Sequence, residues 1–351
     1  MAKRIALDAM GGDHAPEIPV AAALAALADM DEVELVLVGH ESSIQSLLDR
    51  SRPPANRLRV VHAPDVIGMD EAPLAALRRK RRSSIQVGLE LQTAGEVDAF
   101  VSAGHTGAVM AAALTTLGRI AGIARPAIAA IFPTQGLPCI VLDVGANVDP
   151  RPQHLVEFAV MGHVYAREVL GRENPRVGLL SIGEESKKGN ELTVETHDRL
   201  RSLPLDFIGN VEGRDVLRGA VDVVVTDGFT GNVVLKFGES FVDFLGEALR
   251  EEVRKRPLAR FGAFLMQPAL RSLRRRIDYA EYGGAPLLGI DGVVIIAHGG
   301  SNPKAFRNAI GVAQRAAHRA FHRRIAGAVS AWAGETVPAN PSSSRVSGGS
   351  R

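Results

Sequence analysis

The sequence predicts an α/β protein with a mostly parallel central sheet and helices on both of its faces. Three observations predict it. Short Val/Ile/Leu-rich runs alternate with stretches of helical length almost throughout the 351 residues. Some of these runs, such as Val223-Val224-Val225, are apolar without alternation, as strands covered on both faces must be. Most of them end in a cluster of Gly, Asp, Ser, Thr or Asn that leads directly into the next helical stretch.

Taken in order, residues 3–8 (K-R-I-A-L-D) read as a strand, 10–16 as a turn and 17–30 as an Ala-rich helix. Residues 33–38 form a second strand, 41–49 a helix and 58–61 a third strand. Residues 70–93 read as one long helical stretch carrying the basic run Arg78-Arg79-Lys80-Arg81-Arg82. Residues 97–101 are a strand, 102–107 a Gly-rich turn and 108–117 a helix. Residues 128–132 and 139–143 flank a Gly/Pro turn and pair as a hairpin. A helix over 154–170, a strand over 177–181, a polar loop over 183–190, a helix over 191–201 and a strand over 205–208 follow. The run 221–225 is a buried strand. Thr226 to Asn232 is a turn in which Gly228 and Gly231 allow unusual dihedrals or close approach of a ligand. A helix then runs from Val233 to about Arg250; 293–297 is the last strand and 303–325 the closing helix. Residues 334–351 are Ser/Gly/Pro-rich and read as a disordered tail.

Composition narrows the function. A hydrophobic fraction of 46% and a charged fraction of 23% are ordinary globular values, and a net charge of +2 argues against a nucleic-acid binder. The charge is uneven: residues 250–276 hold nine Lys/Arg against two Glu, or +7. The single cysteine, Cys139, excludes an internal disulfide and fits a reducing compartment. No run of apolar residues is long enough to cross a membrane, and nothing at the start reads as a signal peptide, so the expected location is cytoplasmic.

Ligands of a parallel sheet gather at the carboxyl ends of its strands, where helix starts offer N–H donors and a positive dipole end. Six strand ends here carry such equipment, and they are expected along one edge. They are Asp8, Gly11, Gly12 and His14; Ser102, Gly104, His105 and Thr106; Asp143, Gly145 and Asn147; Gly183, Lys187, Lys188 and Asn190; Asp227, Gly228, Thr230, Gly231 and Asn232; and His298, Gly300, Ser301 and Asn302. The set points to an anion or phosphate site. Each loop alone also reads as a plain turn, Lys187 and Lys188 as surface lysines, and His298 as a structural histidine. No two of the 36 glycines are spaced G-x-G, so the dinucleotide fingerprint is absent, as are a P-loop, H-E-x-x-H and a G-x-S-x-G elbow. His318 and His322, four apart among arginines, read as a basic surface without the partners a metal needs.

The stretch from Phe241 to Arg276 reads as a helical hairpin: Pro257 starts its second helix and Pro268 breaks or kinks it. Leu258, Phe261, Phe264 and Leu265 supply an apolar face, and Arg271, Arg274, Arg275 and Arg276 a basic one. Such a helix can lie in a membrane interface, close a dimer or pack on the core; spacing does not separate these.

Seven ordered runs carry a family resemblance: I-A-L-D-A-M-G-G-D-H-A-P (5–16), S-A-G-H-T-G-A (102–108), L-D-V-G-A-N-V-D (142–149), S-I-G-E-E-S-K-K-G-N-E-L (181–192), G-N-V-E-G-R-D (209–215), D-G-F-T-G-N-V-V-L-K (227–236) and Y-G-G-A-P-L-L-G-I-D-G-V-V-I-I-A-H-G-G-S-N (282–302). Over roughly residues 3–325 the chain resembles the bacterial phosphate acyltransferases of phospholipid synthesis, with His105 where Asn is usual and Gly300 where Ser is usual. The resemblance implies a three-layer α/β/α sandwich similar to isocitrate and isopropylmalate dehydrogenases and to phosphotransacetylases. It implies a catalytic domain over 1–333 with a projecting hairpin over 238–280, a homodimer, and peripheral membrane contact. Its expected reaction is reversible transfer of a long-chain acyl group from acyl carrier protein to inorganic phosphate, without metal or organic cofactor, with a glycerol-3-phosphate acyltransferase downstream. For that chemistry Lys187 or Lys188, Asn232 and His298 are the expected catalytic groups, and the strand-end loops the phosphate cradle. The arginine clusters are expected to meet the acidic carrier protein. A short-chain phosphotransacetylase and a non-catalytic membrane scaffold are the alternatives; the apolar basic hairpin counts against the first and the polar strand-end loops against the second.

Overall fold

A computed structural model describes residues 2–51, 56–277 and 281–335, with the side chains of Arg274 and of residues 332–335 left out. Residues 278–280 of the expected hairpin and 336–351 of the expected tail lie outside the described residues.

Among the described residues eleven strands form one sheet: β1 (Lys3–Asp8), β2 (Val33–Gly39), β3 (Leu58–His62), β4 (Ala99–Ser102), β5 (Ala127–Phe132), β6 (Cys139–Leu142), β7 (Arg176–Leu180), β8 (Asp206–Val211), β9 (Val223–Val225), β10 (Ala285–Leu288) and β11 (Val294–Ile296). Their order is β3-β2-β1-β4-β11-β10-β5-β6-β9-β7-β8. Alternate side chains enter opposite core layers, Ile5 and Leu7 on one face and Ala6 on the other. The first face is covered by α1 (Glu17–Asp29), α2 (Glu41–Leu48), α6 (Pro152–Glu168), α7 (Glu191–Leu200), α12 (Pro303–Arg319) and α13 (Phe321–Glu335). The second carries α3 (Pro73–Arg79), α4 (Ser84–Thr93), α5 (Thr106–Thr116), α8 (Gly213–Arg218) and the start of α9 (Gly228–Lys255). The fold is therefore a three-layer α/β/α sandwich. The helices α10 (Pro257–Leu265) and α11 (Gln267–Ile277) join neither core.

The sheet is two parallel blocks joined by a reversal. β3, β2, β1, β4 and β11 run parallel, and so do β6, β9, β7 and β8. Between them β10 is antiparallel to β11, β5 to β10, and β6 to β5. Three reversals leave the blocks pointing in opposite senses. The expectation of six functional loops on one edge is thus corrected. The loops after β1, β4 and β11 leave one end of the sheet, and those after β6, β7 and β9 the other.

Three local readings also change, and one holds. The stretch 70–93 is two helices, because Lys80 leaves helical geometry (φ −105°, ψ 64°) and the Ser83 hydroxyl caps α4 by accepting from Gln86 N. The basic run Arg78–Arg82 therefore spans a helix end and a turn, where the Lys80 ammonium donates to Val66 O and pairs with Glu71. The helix that starts at Pro257 breaks at Met266, as expected of Pro268, which then sits in the first turn of α11, where no N–H is needed. The closing helix stops at Ala320, in left-handed geometry at φ 45°, and resumes as α13 to Glu335, two residues into the expected tail. Residues 226–232 are not a loop: Asp227 caps α9, which begins at Gly228.

Candidate active site

A cleft of about 410 Å³ opens over the central strands, where the two blocks meet. The sheet lines it with Ile128, Ala130 and Ile131 of β5, Ala285 of β10 and Ile296 of β11, all apolar. Three helices start at its walls: Thr106 opens α5, Gly228, Phe229 and Asn232 belong to the first turns of α9, and Ser301 precedes α12. His298 and the loop residues Val144, Gly145 and Val148 complete the contour. The cleft thus joins an apolar base to three helix starts, each presenting the positive end of its dipole.

Sequence explains why α9 starts there. The Asp227 carboxylate accepts from Thr230 N at 2.8 Å, the N-cap bond of a D-x-x-T turn. Gly228 N donates to Asn147 O at 2.7 Å. A Cβ on Gly231 would lie 1.9 Å from Asp143 O, so these glycines serve close packing of helix on loop in place of the unusual dihedrals expected. The loop is held by Asp143, whose Oδ1 accepts from Ile128 N, Gly145 N and Ala146 N, and whose Oδ2 accepts from Asn147 N and Nδ2. Burial pushes the Asp143 carboxyl above the usual carboxylate range, and these donors pull it back down. Gly145, at φ +142°, brings bare backbone against the Asn232 amide.

His298 follows the last strand and is exposed to the cleft mouth. Its Nδ1 accepts from Gly300 N at 3.1 Å, so the neutral ring carries its proton on Nε2 as a donor. Of the residues expected to form the site, the cleft brings together Thr106, Gly145, Gly228, Asn232, His298 and Ser301.

The others stand outside its lining. Asp8 is fully buried, accepts from Ser102 Oγ at 2.7 Å and Met10 N at 3.1 Å, and is pushed up by burial. Ser102 Oγ accepts in turn from Gly104 N, and Gly11 packs so closely that a Cβ would meet Asp8 Oδ2 and Gly104 N at 2.6 Å. Asp13 N donates to Gly299 O, beside Gly12 at φ +103°. This group pins the loops after β1, β4 and β11 together from behind. His14 is exposed. Asn147 Nδ2 donates to Pro126 O, Thr230 lends its N–H to the cap, and Asn190 and Asn302 cap α7 and α12. Lys187 and Lys188 are exposed on the loop after β7, with Gly183 packed against Lys188. Neither lysine lines the cleft.

The cleft adds residues the sequence reading missed: Phe229, Leu235, Lys236, Glu239 and Tyr282. Their signal is helical spacing. Asn232, Lys236 and Glu239 follow at i, i+4 and i+7, one face of a helix once α9 is known to begin at Gly228.

The hairpin face is uncovered by the other described residues. No residue of α10 is buried, and Leu258, at 88%, is its most exposed apolar side chain, with Phe261, Phe264 and Leu265 beside it. Packing on the core is thereby excluded as its role. Arg271 and Arg275 are exposed, Arg274 has no described side chain, and Arg276 is tethered by donation to Thr134 O and Gln135 O. No helix among the described residues is long and apolar enough to cross a membrane. Glu184, Glu212 and Asp215 lie close enough to share a cation, but Arg214 already pairs with Glu184 and Glu212 at 3.1 and 2.6 Å.

Comparison with known proteins agrees with this architecture. The phosphotransacetylase from Streptococcus pyogenes superposes with a TM-score of 0.61 at 16% identity, over 91% of this chain and 94% of that one. The EutD phosphotransacetylase from Staphylococcus aureus gives 0.57 at 17% identity, over 90% and 94%. A 4-hydroxythreonine-4-phosphate dehydrogenase from Klebsiella pneumoniae gives 0.52 at 16%, over 90% and 98%. At these identities the likeness concerns the fold. The sequence matches are much nearer. The phosphate acyltransferase of Heliobacterium modesticaldum is 52% identical over 319 residues, 91% of this chain and 95% of that one. The phosphate acyltransferase of Myxococcus xanthus is 51% identical over 350 residues, 98% of both chains. The sequence profile of the family described as "Fatty acid synthesis protein" matches residues 3–324. Half the residues shared along nearly the whole length, on a fold common to phosphotransacylases, place this chain in the phosphate acyltransferase family of enzymes.

Proposed function

We propose that the enzyme transfers a long-chain fatty acyl group from acyl carrier protein to inorganic phosphate, reversibly, and so supplies acyl phosphate for phospholipid synthesis. The observation that carries this is the meeting of three helix starts over an apolar base in one cleft. Helix starts hold an oxyanion, and an apolar base accepts an alkyl chain.

In this reading a phosphate oxygen attacks the thioester carbonyl and a tetrahedral oxyanion forms. The C–S bond then breaks, the acyl–O–P anhydride remains, and the proton of hydrogen phosphate ends on the departing thiol. Phosphate is itself the nucleophile, so the protein's task is to position it and to stabilise charge. His298, which keeps its proton on Nε2 because Nδ1 accepts from Gly300 N, donates to the oxyanion or returns the proton to sulfur. The Asn232 amide and the positive dipole ends of α5, α9 and α12 hold the phosphate. The exposed hairpin face makes peripheral membrane or homodimer contact, and a glycerol-3-phosphate acyltransferase takes the product on.

The test is turnover of purified protein with long-chain acyl carrier protein and inorganic phosphate, the acyl phosphate being trapped with hydroxylamine. Phosphate-dependent hydroxamate is expected. A folded protein that gives none, with acyl-CoA equally inert, removes the proposal.

A further inference from the structure

Among the described residues lining the cleft, Lys236 is the one side chain with a permanent positive charge. It sits on α9 one turn beyond Asn232, on the same face. Its ammonium lies 3.0 Å from Glu239 Oε2, which draws it forward along the helix. A helical side chain naturally leans the other way, toward the N-terminus and over the preceding turn. For Lys236 that turn carries Asn232, and the one before it carries the N–H groups that open α9. The lysine side chain is 52% exposed and free to turn, whereas the glutamate is only 18% exposed and fixed.

We propose that Lys236 is a phosphate-binding residue whose ammonium is held by Glu239 until a dianion at the start of α9 competes for it. This deepens the acyl-transfer reading and rests on it for the placement of phosphate. The competition has a direction. A dianion with three oxygens at helix starts outbids one carboxylate for an ammonium, and the stem relaxes back toward the N-terminus as it moves. Glu239 thereby weakens phosphate binding in proportion to its own hold on the lysine.

Calorimetric titration with inorganic phosphate alone, followed by steady-state kinetics, tests this on the wild type and on K236Q, K236R and E239Q. The expected result for K236Q is phosphate binding weaker by about tenfold or more, with the KM for the acyl donor within about twofold. K236R restores most of the binding. E239Q tightens phosphate binding a few-fold, a gain that a merely structural ion pair would not give. K236Q binding phosphate like the wild type overturns the proposal, and so does E239Q weakening it as K236Q does. Lys236-dependent phosphate binding in an enzyme without acyl-transfer activity supports this inference and sinks the acyl-transfer reading. Normal turnover with an unaffected K236Q does the reverse.

Discussion

Two long helices, α6 and α9, are held in place by opposite means. α6 has eleven buried residues among its 17, including Phe158, Met161 and Tyr165, and lies in the core layer of the first face. α9 is longer, at 28 residues, yet only Gly228 and Gly231 of it are buried. Its Phe237, Phe241, Phe244, Leu245 and Leu249 are exposed. Apart from Val234 and Leu235, which lean on the second core, apolar content does not anchor α9. What anchors it is one turn, the Asp227 cap and two glycines laid against the loop that Asp143 organises. The helix that lines the cleft is fixed by backbone geometry, and the helix behind it by volume.

Breaking the volume side should cost most. Phe158→Ala is expected to lose about 4 kcal/mol of stability in urea unfolding, because a fully buried ring leaves a cavity; an unchanged midpoint would refute the packing account of α6. Gly231→Ala tests the geometric side. The added methyl meets Asp143 O, and a loss of about 3 kcal/mol with collapse of turnover is expected. The paired change Gly246→Ala, further along α9 with nothing within 4 Å, should be neutral or stabilising. Equal effects at the two glycines would erase the contrast. Asp227→Ala should cost about 1 kcal/mol, read from chemical denaturation, with turnover falling further than stability because the cleft wall shifts.

A smaller effect sharpens the comparison through pH. Burial holds His163 of α6 below its ordinary 6.5, and His322 of the adjoining α13 likewise. The unfolded chain then takes up more protons as pH drops below 6.5. Their contribution to stability is complete above that value and is lost on acidification toward the folded pKa. His163→Gln should flatten the slope of melting temperature between pH 7 and pH 5; an unaltered slope would show that the histidine is not its source. The smallest change in stability is expected from L258S/F261S/F264S, within about 0.5 kcal/mol, since these side chains touch little. If the proposed membrane contact uses this face, wild-type protein cosediments with anionic phospholipid vesicles and the same variant does not; retained cosedimentation, or none by the wild type, would refute that contact.

Much of this was legible in the sequence. The Val/Ile/Leu runs located ten of the strands, and the β5–β6 hairpin could be read from its Gly/Pro turn. The missing strand, β10, is only A-P-L-L behind Gly283-Gly284, too short to signal itself, and it is the strand on which the reversal depends. Local pattern fixes where strands occur and says little about their sense across a sheet, so six loops placed on one edge belong to two. The site was half legible for the same reason. His298, Asn232, Thr106 and Ser301 stand at strand ends and helix starts, as the pattern indicated. Asp8 and Asn147 carry the same loop chemistry but turn inward to hold backbone. Gly228 and Gly231 read as loop because glycine disfavours helices; their tertiary contact with residues 143–147 overrides that propensity.

The position of β11 has a consequence for how the chain is made. It is the last strand in sequence, yet it pairs directly with β4, which is complete at Ser102. Roughly 190 residues, or roughly 10–40 s of synthesis, separate the two. For that interval β4 presents a bare hydrogen-bonding edge in the middle of what will become one continuous sheet, a template for wrong pairing between nascent chains. The strand that ends the wait also carries His298 into the cleft. Completion of the cleft and covering of the β4 edge are therefore the same event, and a chain that stops short of residue 294 has achieved neither.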